Sequence, residues 1–321
     1  MRTFLMFIFS LTNFHTSNPS GDPLIASGFF PFATFDRYYV SVGANAALVN
    51  EFRYQYLYDS YNNTVGRQIT YEKRNFYFLK PTVNLGFSFG RFTTFLYYRG
   101  DFDNNYLYEK IIYSSGYIPE DTVRIERKGD IYSGGFATFF GFGKYRVGAG
   151  LSLLNKEDIV SSARRAARPE IFFSYRGKNE GVGLSLSARA KFSEETEYTI
   201  PDKGEVFLYY SPSSRTMAKF EMNLCYLDFS RINDSYEDYI FGSVAISNTF
   251  RDKTTLKVGG ILEKSFEGNY YAPGCEVGLG YIMDPAEIGI LLSKMFYNYS
   301  QGGELIEESP VKVQFYLRIS K

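Results

Sequence analysis

The sequence predicts an all-β fold: a closed antiparallel up-and-down transmembrane β-barrel of about fourteen strands, with short periplasmic turns and longer outer loops. Three observations predict it. Composition comes first, with 29 Tyr, 31 Phe and 29 Gly among 321 residues and no Trp, a balance that favours strands and turns over helices. Apolar and polar residues then alternate with a period of two in segment after segment, which is the spacing of a strand wetted on one face. Finally, the connections between these segments alternate in size, short then long, as they do in outer-membrane barrels.

Residues 1–20 read as an export signal, with Arg2 as the charged start and Phe4 to Phe9 as the short apolar run. Residues 21–36 read as a short lead segment, whose Phe29, Phe30, Phe32 and Phe35 suit a small apolar plug, and residues 37–321 as a single barrel domain. No apolar stretch reaches the roughly 18 residues of a membrane helix, so any route across a bilayer runs through strands.

The first strand is set by Tyr38, Val40, Val42, Ala44, Ala46 and Leu48 alternating with Ser41, Gly43 and Asn45. With its three successors it is long, giving segments from Arg37 to Asp59, Arg67 to Phe89, Arg91 to Ser114 and Thr122 to Phe142. At about 3.3 Å per residue and a tilt near 40°, the extra length raises these hairpins about 30 Å above the bilayer. Breaks at Tyr71 to Arg74 and Gly100 to Asn105 would give more, shorter strands instead.

Ten shorter segments follow: Tyr145 to Glu157, Arg168 to Arg176, Val182 to Phe192, Glu205 to Tyr210, Arg215 to Phe229, Tyr239 to Phe250, Thr254 to Phe266, Tyr270 to Met283, Glu287 to Tyr297 and Pro310 to Ser320. Val182, Leu184, Leu186 and Ala188 against Gly183, Ser185, Ser187 and Arg189 show the pattern. So do Val311, Val313, Phe315, Leu317 and Ile319 against Lys312, Gln314, Tyr316 and Arg318. Turn residues at Gly90-Arg91, Gly143-Lys144, Arg251 to Lys253 and Asp284-Pro285 close the short side. Acidic stretches such as Ser193 to Asp202 and Tyr299 to Ser309 form the long side.

Chemistry is excluded as much as it is indicated. A formal charge of zero removes the basic footprint of a nucleic-acid partner. Gly86 to Gly90 spells the Gly-x-Ser-x-Gly nucleophile pattern, but it sits where a strand meets a tight turn rather than a helix, and the only histidine is His15. With no P-loop, calcium-loop or Cys-x-x-Cys spacing either, neither an enzyme nor a cofactor is expected. Cys225 and Cys275 fall on opposite faces of their strands, which argues against a disulfide.

With the apolar face toward outer-membrane lipid, the other face carries Lys80, Arg99, Arg146, Arg168, Arg176, Arg189, Lys191, Lys219, Lys257, Lys312 and Arg318, set against Glu170, Glu221, Glu263, Glu276 and Glu287. Eleven bases against five acids leave a mildly basic lumen, expected to pass small anionic or amphipathic solutes across a bacterial outer membrane. Two other readings stay open: a structural or secretion-associated barrel whose inward charges pair without conductance, and a soluble exported all-β binding protein.

Fourteen strands behind a lead segment, with Asn18-Pro19-Ser20-Gly21 just ahead of the first strand, resemble the long-chain fatty acid transporter family of outer-membrane barrels and its secretion-associated relatives. The resemblance implies passive uptake of lipid-like or small solutes. The sequence departs from the family in two places: the lead is shorter than the family's N-terminal hatch, and the chain closes on Ile319-Ser320-Lys321 rather than on an aromatic residue.

Overall fold

The structure, a computed structural model, describes residues 37–58, 64–75, 80–103, 106–113, 119–127, 129–158, 164–191, 199–200, 202–212, 218–228, 238–251, 253–266, 271–301, 304–308 and 311–320. The export signal and lead segment read over residues 1–36 lie outside the described residues.

Fourteen strands form one ring. They are β1 (Tyr38–Tyr58), β2 (Thr64–Asn75 and Lys80–Phe89), β3 (Phe92–Asp103 and Tyr106–Tyr113), β4 (Pro119–Arg127 and Gly129–Phe142), β5 (Tyr145–Asp158), β6 (Arg164–Arg176) and β7 (Glu180–Ser187 and Ala190–Lys191). The second half holds β8 (Thr199–Ile200 and Asp202–Tyr210), β9 (Ala218–Asp228), β10 (Tyr239–Phe250), β11 (Thr254–Ser265), β12 (Tyr271–Met283), β13 (Ala286–Met295 and Tyr297–Gln301) and β14 (Glu304–Glu308 and Val311–Ser320). Each pairs antiparallel with its sequence neighbours. β14 returns to β1, Tyr39 facing Ser320 and Leu48 facing Val311, so the sheet has no free edge.

The turn side is tight. Gly90 and Gly143 both adopt φ of 63°, the left-handed region that glycine enters without steric cost. Arg251 takes φ 51° in the β10–β11 turn, a conformation uncommon for a residue with a Cβ.

The long hairpins predicted at the start of the barrel are present. β1 runs unbroken for 21 residues, and β1 with β2 stays paired up to Tyr58 opposite Thr64. β3 with β4 stays paired up to Tyr113 opposite Pro119. Of the two breaks weighed against long strands, Tyr71 to Arg74 lies within the strand Thr64–Asn75, whereas Gly100 to Asn105 holds a register shift between Gly100 and Phe102 and a strand end at Asp103, with 104–105 outside the described residues.

Several boundaries differ from the sequence reading. β6 begins at Arg164 rather than Arg168, and β8 at Thr199 rather than Glu205. The acidic stretch read as a loop from Tyr299 to Ser309 is instead a hairpin, Tyr297 facing Glu308 and Gln301 facing Glu304. Its return strand pairs with the tall end of β1. Backbone pairing overrides charge here, because the ladder needs only amide and carbonyl groups and Leu305 and Ile306 carry strand propensity.

Outward positions are apolar and exposed over most of the ring, from Leu96, Phe140, Val147 and Ile171 through Val182, Leu184, Leu186, Phe220, Met222, Val244, Ile246 and Val258 to Leu279, Ile288, Phe315 and Leu317. A band of this extent is not a soluble protein's surface, and it matches the lipid belt of a membrane barrel. Aromatic rings gather where that belt meets the turns: Phe92 with Phe140, Phe142 with Tyr145, and Tyr145 with Phe173 and Tyr175. Tyr38, Tyr210 and Tyr281 are also exposed near strand ends, as interfacial girdle residues are.

Candidate functional site in the barrel interior

The interior has two unlike walls. On the first, Tyr39 of β1, Phe95 and Tyr97 of β3, Ala137 and Phe139 of β4, Phe172 of β6 and Phe207 of β8 form one buried cluster, with Tyr209 packed against it. Register explains how rings from different strands meet. Gly86 of β2 lies between Tyr39 and Phe95, whose rings stand edge to face with centroids 6.0 Å apart. Gly148 of β5 lies between Phe139 and Phe172 in the same way, with centroids 5.3 Å apart. A Cβ on Gly148 would overlap the Phe139 ring, so the glycine is what lets the two aromatic side chains close over the intervening strand. Each such ring pair adds about 0.5–1.5 kcal/mol beyond area burial.

The second wall, on β9 to β14, is ionic. Lys257 of β11 is fully buried and pairs with Glu221 of β9. Glu287 of β13 pairs with Arg318 of β14 and accepts a hydrogen bond of 2.9 Å from the Tyr316 hydroxyl. The Tyr316 ring lies across Gly289, where a Cβ would overlap it. One polar chain joins the walls, and a second runs within the first wall. Lys203 pairs with Glu205 at 2.8 Å, and Asn223 Nδ2 donates to the same carboxylate at 3.1 Å. Tyr97 Oη and Ser152 Oγ lie 2.6 Å apart, and Ser152 donates to Glu170 at 3.2 Å.

The charged residues named from the sequence divide by burial. Glu170, Glu221, Glu263, Glu276, Glu287 and Lys257 are buried. Arg146, Arg168, Lys219 and Arg318 are half-buried, and Arg168 Nε donates to the Ala188 carbonyl at 3.0 Å. Arg176, Arg189 and Lys191 are exposed near strand ends. The side chains of Lys80, Arg99 and Lys312 lie outside the described residues. Among the described residues the buried charges are seven acids, including Glu205 and Asp228, and a single base, Lys257.

Sequence reasoning missed Lys203, because β8 begins earlier than its apolar run suggests, and it set Glu205 at the first position of the strand without counting it among the inward charges. It placed Tyr316 on the inward face but missed the inward rings of Phe95, Tyr97, Phe139, Phe172 and Phe207. On β3 both faces are rich in rings, Phe92 and Tyr98 outside and Phe95 and Tyr97 inside, so alternation carries no contrast there. The signal that would have found them is the inward glycine opposite each ring, which becomes visible only once register is known. Cys225 is buried and Cys275 exposed, both as free thiols. Among the described residues, no group of three or more His, Cys, Asp or Glu is placed to hold a metal ion.

No protein-family model and no curated protein matches the sequence. Solved structures do match in fold. The Pseudomonas putida toluene transporter TodX aligns over 90% of this chain and 91% of its own at a TM-score of 0.67 and 7% identity. The Ralstonia pickettii toluene transporter TbuX aligns over 96% and 99% at 0.64 and 10% identity. A Pseudomonas aeruginosa FadL homologue aligns over 96% and 95% at 0.59 and 11% identity. The shared feature is the fourteen-stranded outer-membrane barrel fold.

Proposed function

We propose that this chain is a bacterial outer-membrane channel for small apolar or amphipathic solutes, working passively rather than as an enzyme. The observation that carries the proposal is the aromatic cluster on the inward face. A water-filled pore is lined by polar side chains, whereas Phe95, Phe139, Phe172 and Phe207 present an apolar interior track behind a lipid-facing belt. Structural neighbours described as toluene transporters support a solute of that kind, and none of the three compared above is described as an enzyme. Residues 1–20 as an export signal, 21–36 as a lead segment and 37–321 as the barrel fit this role.

The test is uptake. Cells with an intact lipopolysaccharide outer leaflet, expressing the chain in heat-modifiable form in outer-membrane fractions, are expected to take up labelled toluene several-fold faster than cells without it. Equal rates would contradict the proposal.

Two further readings rest on specific observations. Arg146, Arg168, Lys219 and Arg318 keep part of their surface open while the acids are buried, which supports a mildly basic lumen for mobile anions. Single-channel currents with chloride selectivity would check this. The buried Lys257–Glu221 and Arg318–Glu287 pairs favour a structural or secretion-associated barrel without conductance, and the absence of both current and uptake from folded protein would select that reading.

A further inference from the structure

The two walls meet at β8 and β9, where Phe207 of the aromatic cluster stands directly opposite Asn223. Asn223 in turn stands opposite Ser243 of β10, and Glu221 lies two residues along the same inward face of β9. All three polar residues are at most 3% exposed. Each nonetheless keeps an oxygen that meets no donor: Glu221 Oε1, Asn223 Oδ1 and Ser243 Oγ. Cross-strand partners and next-but-one residues on a strand face are about 5–7 Å apart, so the three residues are immediate neighbours on the inward face.

We propose that this junction binds the hydroxyl of a neutral hydroxylated aromatic molecule, a phenol, with the ring of the ligand against Phe207 and Phe172. The inference rests on the channel reading above and narrows its solute class. Glu221 Oε1 and Asn223 Oδ1 can only accept, and Ser243 Oγ can accept or donate, so the junction calls for a group that donates and can also accept. Charge decides which donor. Lys257 already pairs with Glu221, and Lys203 with Glu205, so an ammonium would meet two lysines and a carboxylate would meet two glutamates. A neutral hydroxyl meets neither penalty and relieves buried acceptors that are costly to leave unmet. The aromatic part follows from position, because Phe207 stands directly opposite Asn223 and Phe172 belongs to the same buried cluster as Phe207.

The experiment is equilibrium binding to the purified full-length barrel in detergent, comparing p-cresol with toluene, which differ by one hydroxyl. The wild type is expected to bind p-cresol about tenfold more tightly, the worth of one to two net hydrogen bonds. Ser243→Ala leaves the Glu221–Lys257 pair and the Asn223–Glu205 bond in place and is expected to cut that ratio by about threefold or more with toluene binding unchanged. Asn223→Leu is expected to cut it further, and heat-modifiable migration shows that each variant is folded.

Equal binding of the two probes by the wild type, as when trapped water already serves the acceptors, would overturn the inference while leaving the channel reading intact. A preference that survives both substitutions would overturn it as well, since the hydroxyl would then bind elsewhere. Binding of neither probe would also overturn it, and the toluene uptake assay, run separately, then decides whether the channel reading fails too.

Discussion

The aromatic wall of β1, β3, β4, β6 and β8 and the ionic wall of β9 to β14 belong to one barrel, yet they are held by opposite physics. The first is a set of rings closing over small residues, with no charge at its centre. The second pairs buried Glu221 with Lys257 across β10 and buried Glu287 with Arg318 of the next strand. Burying a ring removes it from water at a gain, whereas burying a carboxylate is tolerable only beside its partner. The two walls should therefore break differently.

The largest expected effect is on the ionic wall. Lys257→Met leaves Glu221 buried without its cation and is expected to cost about 3–5 kcal/mol in urea unfolding of the detergent-solubilised barrel. The double variant Lys257→Met with Glu221→Leu should recover most of that loss, because removing both charges removes the desolvation problem as well.

On the aromatic wall, Phe139→Ala is expected to cost about 3–5 kcal/mol by opening a cavity between Phe95 and Phe172. Gly148→Val alone should also destabilise, by about 1–3 kcal/mol, since its Cβ overlaps the Phe139 ring. Combined, the two should cost less than their sum, as the new side chain enters the space the ring has left. Additive losses would show that the ring does not lie over Gly148.

The lipid-facing belt offers a third comparison. Val258 is exposed between inward Lys257 and Gly259, and Val258→Lys is expected to cost about 2–4 kcal/mol near the bilayer midplane, measured by refolding into lipid vesicles. An unchanged stability would mean this face does not meet lipid. The smallest effect belongs to the turn: Arg251→Gly should stabilise by about 0.5 kcal/mol or less, as relief of the left-handed φ is partly offset by glycine's added freedom in the unfolded chain.

The same contrast explains how much was legible in the sequence. Where a strand sets Lys257 and Glu263 against Leu256, Val258 and Leu262, its faces differ chemically and alternation identifies which is which. Strand number follows from turn residues, and the two tall first hairpins from segment length. On β3 and β4, rings occupy both faces, so the most apolar part of the interior looks like ordinary lipid-facing strand. The acidic hairpin from Tyr297 to Glu308 was hidden for a different reason, since charge at a strand's solvent end does not oppose pairing. Ion pairs such as Lys257 with Glu221 lie 36 residues apart in sequence and emerge only when β9, β10 and β11 are set in register.

The most direct test of the proposed solute track is a crystal of the barrel grown with 4-bromotoluene and measured at the bromine absorption edge. The account predicts an anomalous bromine peak inside the barrel against Phe95, Phe139, Phe172 or Phe207. Bromine found only on the outer belt, among lipid or detergent, would contradict it.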